Sequence, residues 1–218
     1  MTPHHHPDAS TLMSYAAGSL PDAIATVVAC HVSVCEQCQE AVAEAEQLGR
    51  FLMEQQPDAE LSKDARAKML DLLDSVEPDT PDTEKAVEPR EANGDIPLPL
   101  RSYLGTSFDS LRWKAMVPGM KQFIIPSTQG QLRLLRIASG TSMPIHSHTG
   151  SELTMVLKGS YSDELGRFGV GDVADLDPEI QHQPATDTHE DCICLIATDA
   201  PLKFTKLVPR LLQPFFRL

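Results

Sequence analysis

Two groups of residues in this 218-residue chain have the types and spacing of metal ligands. The first is CHVSVCEQC, in which His31, Cys35 and Cys38 follow the pattern H-x3-C-x2-C. A C-x2-C pair at a helix start presents both sulfurs to one ion, and a histidine ending the preceding helix supplies a third donor across the turn. A closed structural zinc site wants four ligands. Cys30 adjoins His31, points elsewhere and reads as a core residue. The fourth donor is therefore sought among the N-terminal histidines His4, His5 and His6, of which His6 stands nearest the first helix. The second group is IHSHTGSE. His146 and His148 alternate on a strand and so share a face, and Glu152 returns toward the same side.

The elements that must position these groups differ between the two halves. Residues 1–76 read as helices. Asp8 or Ser10 caps a first helix that ends at Gly18, Pro21 opens a second, a third begins at Cys35, and Ser62 caps a fourth. Val42, Leu48, Phe51 and Leu52 are expected as apolar contacts of the third, and Leu61, Met69, Leu70, Leu72 and Leu73 of the fourth. A core from so few residues is thin, and a metal staple at His6, His31, Cys35 and Cys38 would secure it. Residues 77–95, rich in proline and charge, read as a linker. Residues 96–218 hold short apolar runs broken by glycine and proline: QFIIP, LRLLRIASG, LTMVLKGSYSD and CICLIAT. These are strands of an antiparallel sandwich or barrel. The apolar terminus FTKLVPRLLQPFFRL is expected to pack on the outside of that barrel.

Gly140-x5-His146-x-His148-x3-Glu152-x6-Gly159 resembles the first cupin motif throughout. The stretch from Gly166 through Gly171 and Asp172 to His182 resembles the second, more loosely. This makes His182 the fourth ligand beside His146, His148 and Glu152. Three histidines and a glutamate suit zinc, manganese, iron or nickel. His189, in the polar stretch THED, reads as solvated. Cys192 and Cys194 flank one residue on an apolar strand, so they share a face. They are either core cysteines or oxidisable thiols near the metal.

Charge narrows the function. Residues 1–76 carry 12 acidic and 4 basic side chains, residues 77–95 carry 7 and 2, and residues 96–218 carry 12 of each. The net charge of −13 thus belongs wholly to the first 95 residues. Direct nucleic-acid binding is not expected of such a surface. Such acidity either suits a basic protein surface as partner or simply keeps the chain soluble. Five cysteines, an odd number, argue against a disulfide framework. No apolar run is long enough to cross a membrane, and MTPHHHPDAS has no features of a secretory signal, so a cytoplasmic protein is expected.

H-x3-C-x2-C in an acidic helical domain, with the stretches YAAGSLPDA, DCICLIATDAPLKF and VPRLLQPFFRL, resembles the ChrR-type zinc-binding anti-sigma factors. The resemblance covers nearly the whole chain apart from the linker. It implies a small zinc-stapled all-α domain (1–76), the linker (77–95) and an all-β cupin sensor of double-stranded β-helix type (96–218). It implies zinc at His6, His31, Cys35 and Cys38, and favours zinc in the cupin over iron or manganese. The implied function is inhibition of a group IV (ECF) sigma factor, relieved by an oxidative signal such as singlet oxygen or an organic peroxide. Proteolysis of the signalled complex is one route to that relief. The competing expectation is a cupin-type dioxygenase with an appended regulatory domain; the anti-sigma reading makes the chain no enzyme.

Overall fold

The computed structural model describes residues 2–76, 95–148, 150–176, 181–199 and 202–204; for 146–148 and 202–204 it describes the backbone. The linker read at 77–95 lies outside the described residues except for Asp95, as does the apolar terminus beyond 204.

Four helices form where the capping residues and periodicity place them. Helix α1 (Ala9–Ala16) starts at Asp8, whose carboxylate accepts the Thr11 N–H at 2.6 Å. Helix α2 spans Asp22–Val32 and α3 spans Glu36–Glu54, with Cys35 as the extended residue before its first turn. Helix α4 is Ala65–Ser75, and its N-terminal flanking residue is Asp64 rather than Ser62. A short helix α5 (Arg101–Leu104) and two single 3-10 turns, Leu98–Leu100 and Phe108–Ser110, lead into the strands.

One expectation about the helices is overturned. In α3 only Cys38 and Val42 are buried, while Leu48, Phe51 and Leu52 stand in solvent. Helix α4 has no buried residue at all, and Met69, Leu70, Leu72 and Leu73 are exposed along it. The apolar periodicity was real, but no element among the described residues covers those faces.

The strands form a six-stranded antiparallel sheet and a three-stranded one. The large sheet has the order β1-β2-β3-β10-β5-β8, from Lys114–Val117, Met120–Ile125, Gln131–Ile137, Cys192–Thr198, Glu152–Lys158 and Val173–Leu176. The smaller has the order β7-β6-β9, from Gly166–Phe168, Tyr161–Asp163 and Ala185–Thr186. Strand β4 (His146–His148) pairs with β11 (Leu202–Phe204). The strand expected at His146–His148 is therefore present. Gly159 ends β5 at φ +70, and a Cβ there would lie 2.7 Å from the Asp191 carbonyl, so the position admits glycine alone.

The central strands are buried on both faces, and each face has its own covering. Leu153, Met155 and Leu157 of β5 share one core with Leu134, Ile193 and Leu195, and with Ile24, Val27 and Val28 of α2. The opposite face carries Val156 and Cys194, which pack with Tyr161 and Phe168 of the small sheet. Helix α2 thus completes the outer face of the sheet, and the small sheet closes the inner one.

Both ends of α2 are fixed to the strand region. At its N-terminus the Asp22 carboxylate accepts the Thr128 N–H at 2.9 Å and the Ser127 hydroxyl at 3.1 Å, while the Ala23 N–H donates to the Gln129 carbonyl at 3.0 Å. These bonds hold the Asp22 carboxyl below its ordinary range, the Thr128 N–H contributing most. A carboxyl depressed in the folded state stabilises the fold above its unfolded pKa and loses that contribution as pH falls through the folded value. Comparing thermal midpoints of the wild type and Asp22→Asn should show a gap of a few degrees at pH 6 that shrinks below about pH 4. A gap that is absent at pH 6, or that is undiminished at low pH, contradicts this role.

Candidate metal centres

The first centre sits where the N-terminal arm, the end of α2 and the start of α3 meet. His31 is the penultimate residue of α2, Cys35 precedes α3, Cys38 lies in its first turn, and His6 comes from the arm before α1. One donor atom from each lies within 4.8 Å of all the others. His6 Nδ1 is 3.3 Å from His31 Nε2, 3.4 Å from Cys35 Sγ and 3.5 Å from Cys38 Sγ. Two sulfurs and two imidazole nitrogens at this spacing match a closed tetrahedral site, and the group can hold one metal ion of zinc type. Among the described residues it is the one such group.

The three adjacent histidines have three different surroundings. His6 enters the cluster. The His5 ring lies against Phe168, with centroids 4.3 Å apart, and its Nδ1 is 3.3 Å from the Asp172 carboxylate. The His4 backbone N–H donates to Asp172 Oδ1 at 2.6 Å. The structure thus favours His6 over its neighbours as the fourth ligand.

Burial shapes the chemistry of the cluster. His31 is wholly buried, and burial holds its pKa below the ordinary histidine value, with the Gly171 carbonyl opposing that. A neutral His31 donates Nδ1–H to that carbonyl at 2.8 Å, which leaves the Nε2 lone pair facing the cluster. Burial, assisted by Cys35, pushes the Cys38 thiol up to about 12. Without a cation Cys38 is therefore held as the thiol, and a bound divalent ion would supply the charge that its thiolate requires.

The second candidate lies inside the strand region. A cavity of about 70 Å³ is lined by Glu152, His182, Thr154, Tyr161, Arg133 and Cys194, among others. Glu152 opens β5 and accepts the Thr154 hydroxyl at 3.2 Å. His182 Nδ1 lies 2.9 Å from Asp163 Oδ2, and both side chains are buried. Such a carboxylate fixes the imidazole and leaves Nε2 for a metal. Of the four residues expected as ligands, Glu152 and His182 have described side chains, and both line the cavity. His146 and His148 are placed on β4 by backbone alone. His189 is exposed, as its polar surroundings led us to expect.

Cys192 and Cys194 do share a face, with sulfurs 3.6 Å apart and both buried. The core reading holds: the pair is packed in the core, and Cys194 also lines the cavity. The hydrogen bond between Cys194 and Cys192, with burial, keeps the Cys194 thiol well above its ordinary pKa. Cys30 is fully buried as expected, and burial pushes it up to about 12.

Sequence reasoning missed Asp163, Asp172 and Asp175. Asp163 bears no spacing relation to His182 and was read only as the end of a strand. Asp172 was read within a cupin motif, and nothing in its neighbourhood indicates that it reaches the N-terminal arm.

Comparisons with known proteins agree with this architecture. Residues 102–201 match the family model of the ChrR cupin-like domain. The anti-sigma-E factor ChrR of Cereibacter sphaeroides is 40% identical over 220 residues, covering 100% of both chains. Among solved structures, that of Rhodobacter sphaeroides SigE in complex with the anti-sigma ChrR matches with a TM-score of 0.77 and 35% identity. The match covers 91% of this chain and 100% of that one. The architecture defines a regulatory protein, a helical metal-cluster region joined to a cupin-like region. The chain belongs to the ChrR family of anti-sigma factors, which sets aside the dioxygenase reading.

The burial and raised pKa values of Cys30 and Cys194 lead to an expected labelling pattern. At pH 7 a thiolate-selective reagent should leave both unmodified in the folded chain, as followed by mass spectrometry. Modification of either one without unfolding contradicts the packing described.

Proposed function

We propose that this chain binds and inhibits a group IV (ECF) sigma factor through residues 1–76. In this reading one zinc ion at His6, His31, Cys35 and Cys38 holds the helices in their inhibitory arrangement. Residues 77–95 form the linker. Residues 96–218 form the sensor, with a second metal, zinc by preference, at His146, His148, Glu152 and His182. The input is an oxidative signal, singlet oxygen or an organic peroxide, with Cys192 and Cys194 as the oxidisable groups beside the cavity. Its output is release of the sigma factor, with proteolysis of the signalled complex as one route. The protein acts in the cytoplasm. No helix among the described residues is long and apolar enough to cross a membrane.

The observation that carries this reading is identity along the full length of an anti-sigma factor, together with the match to a ChrR chain solved with its sigma factor. The surface of the helical region supports it independently. Phe51 and Leu52 on α3, and Leu70, Leu72 and Leu73 on α4, are all about half exposed or more. Exposed apolar side chains on two helices, set among acidic ones, suit a protein interface. The metal's role on this reading is structural: a filled site with no open position fixes the angle between α2 and α3 and anchors the arm.

Full-length protein and the cognate ECF sigma factor provide the test. Leu70→Asp combined with Leu73→Asp should raise the Kd for the sigma factor at least 30-fold, about 2 kcal/mol. The chain's own unfolding midpoint should not change, because neither side chain is buried. Cys38→Ala should also abolish inhibition in a transcription assay, through loss of the cluster. Undiminished inhibition by both variants overturns the proposal.

A further inference from the structure

We propose that the cupin region forms part of the N-terminal metal centre: the β7–β8 turn and Asp175 position its two histidine ligands. This inference rests on metal binding at His6, His31, Cys35 and Cys38 as proposed above, and goes beyond it by assigning roles to residues about 140 positions or more away in sequence.

The contacts reach both histidines. His31 is oriented by its Nδ1 bond to the Gly171 carbonyl. His6 is held by the chain on either side of it. Upstream, the backbone N–H groups of His4 and His5 both donate to Asp172 Oδ1, at 2.6 and 3.1 Å. The Val173 N–H donates back to the His5 carbonyl at 3.1 Å. Downstream, the Asp8 N–H and the Thr11 hydroxyl donate to Asp175 Oδ2, at 3.1 and 2.9 Å. Gly171 has φ +94, and a Cβ there would lie 3.0 Å from the Pro3 ring, so the arm fits against bare backbone. The arm thus lies along the edge of the cupin region, with His6 bracketed by bonds at residues 4, 5 and 8.

A ligand held before the metal arrives loses less conformational freedom on binding than one on a loose arm. Groups that orient metal ligands from outside typically contribute 10–100-fold in metal affinity. Coupling of this kind is reciprocal. Metal in the cluster therefore favours the docked arm by the same factor as docking favours the metal. A change in the cupin region that shifts the β7–β8 turn would weaken the centre that organises the sigma-binding helices.

Cobalt(II) in the full-length protein is a suitable probe, because thiolate-to-cobalt charge-transfer absorption reports a centre with cysteine ligands. Cys38→Ala serves as the blank, and competition with a chelator gives the affinity. Asp172→Ala should weaken cobalt binding by about 10–100-fold. Asp175→Ala should weaken it several-fold, with the band shape retained in both. Asp172 also accepts the Gly169 N–H of its own turn at 2.8 Å. If circular dichroism shows that Asp172→Ala disturbs the strands, Asp175→Ala, which leaves that turn alone, decides the matter. Wild-type affinity in a folded Asp175→Ala and in any folded Asp172→Ala overturns the inference while the metal centre stands. Absence of a thiolate band in the wild type overturns the centre and this inference together.

Discussion

Everything in this molecule depends on a sheet that has to be covered twice. Strands β3, β5 and β10 are buried on both faces, one mainly apolar and the other mixing apolar side chains with Arg133, Glu152 and Thr154 around the cavity. Fully burying one such Leu or Met side chain contributes about 1.5–3 kcal/mol. The small sheet closes the inner face around the cavity, and α2 closes the outer face. The helical and strand regions therefore share one continuous core. The metal cluster forms at the C-terminal end of the same helix that seals the sheet. A single helix thus carries the outer wall of the strand region on its side and His31 of the His/Cys cluster at its end.

Polar contacts refine what the apolar ones begin. The carboxylates around α2 and the arm are hydrogen-bonded by backbone N–H or hydroxyl groups, the exposed Asp8 and Asp22 as well as the buried Asp172. Asp172 illustrates the balance: burial raises its pKa, but the N–H groups of Gly169, His4 and His5 outweigh that and keep it below the ordinary value. The helices that lie farther from the sheet follow the opposite rule. Among the described residues, the second half of α3 and all of α4 leave their apolar side chains exposed, as suits a chain with a protein partner.

Much of this organisation was legible in the sequence. C-x2-C with an upstream histidine depends on helix-turn geometry over a few residues, and local geometry is what spacing encodes. The same holds for Gly159, which ends β5 at a positive φ. The strands missed were β1 and the short β7, β8, β9 and β11, of two to four residues each, which carry too few residues for a period to show. The Gly171 and Asp172 contacts to the arm, and the Asp163–His182 pair, were illegible for a different reason. They join residues far apart in the chain, and no local pattern records a carboxylate's distant donor. The apolar stripes of α3 and α4 were seen, but periodicity alone does not say whether an apolar face meets its own core or another protein.

On the proposed function, the exposed side chains of α3 and α4 meet the sigma factor while α2 stays committed to the sheet. Hydrogen exchange of the full-length chain, alone and with its ECF sigma factor, tests this most directly. On this account residues 48–76 gain strong protection in the complex, and α2 and the central strands, already protected, change little. Protection confined to the cupin cavity, or a helical region unaffected by the sigma factor, would contradict it.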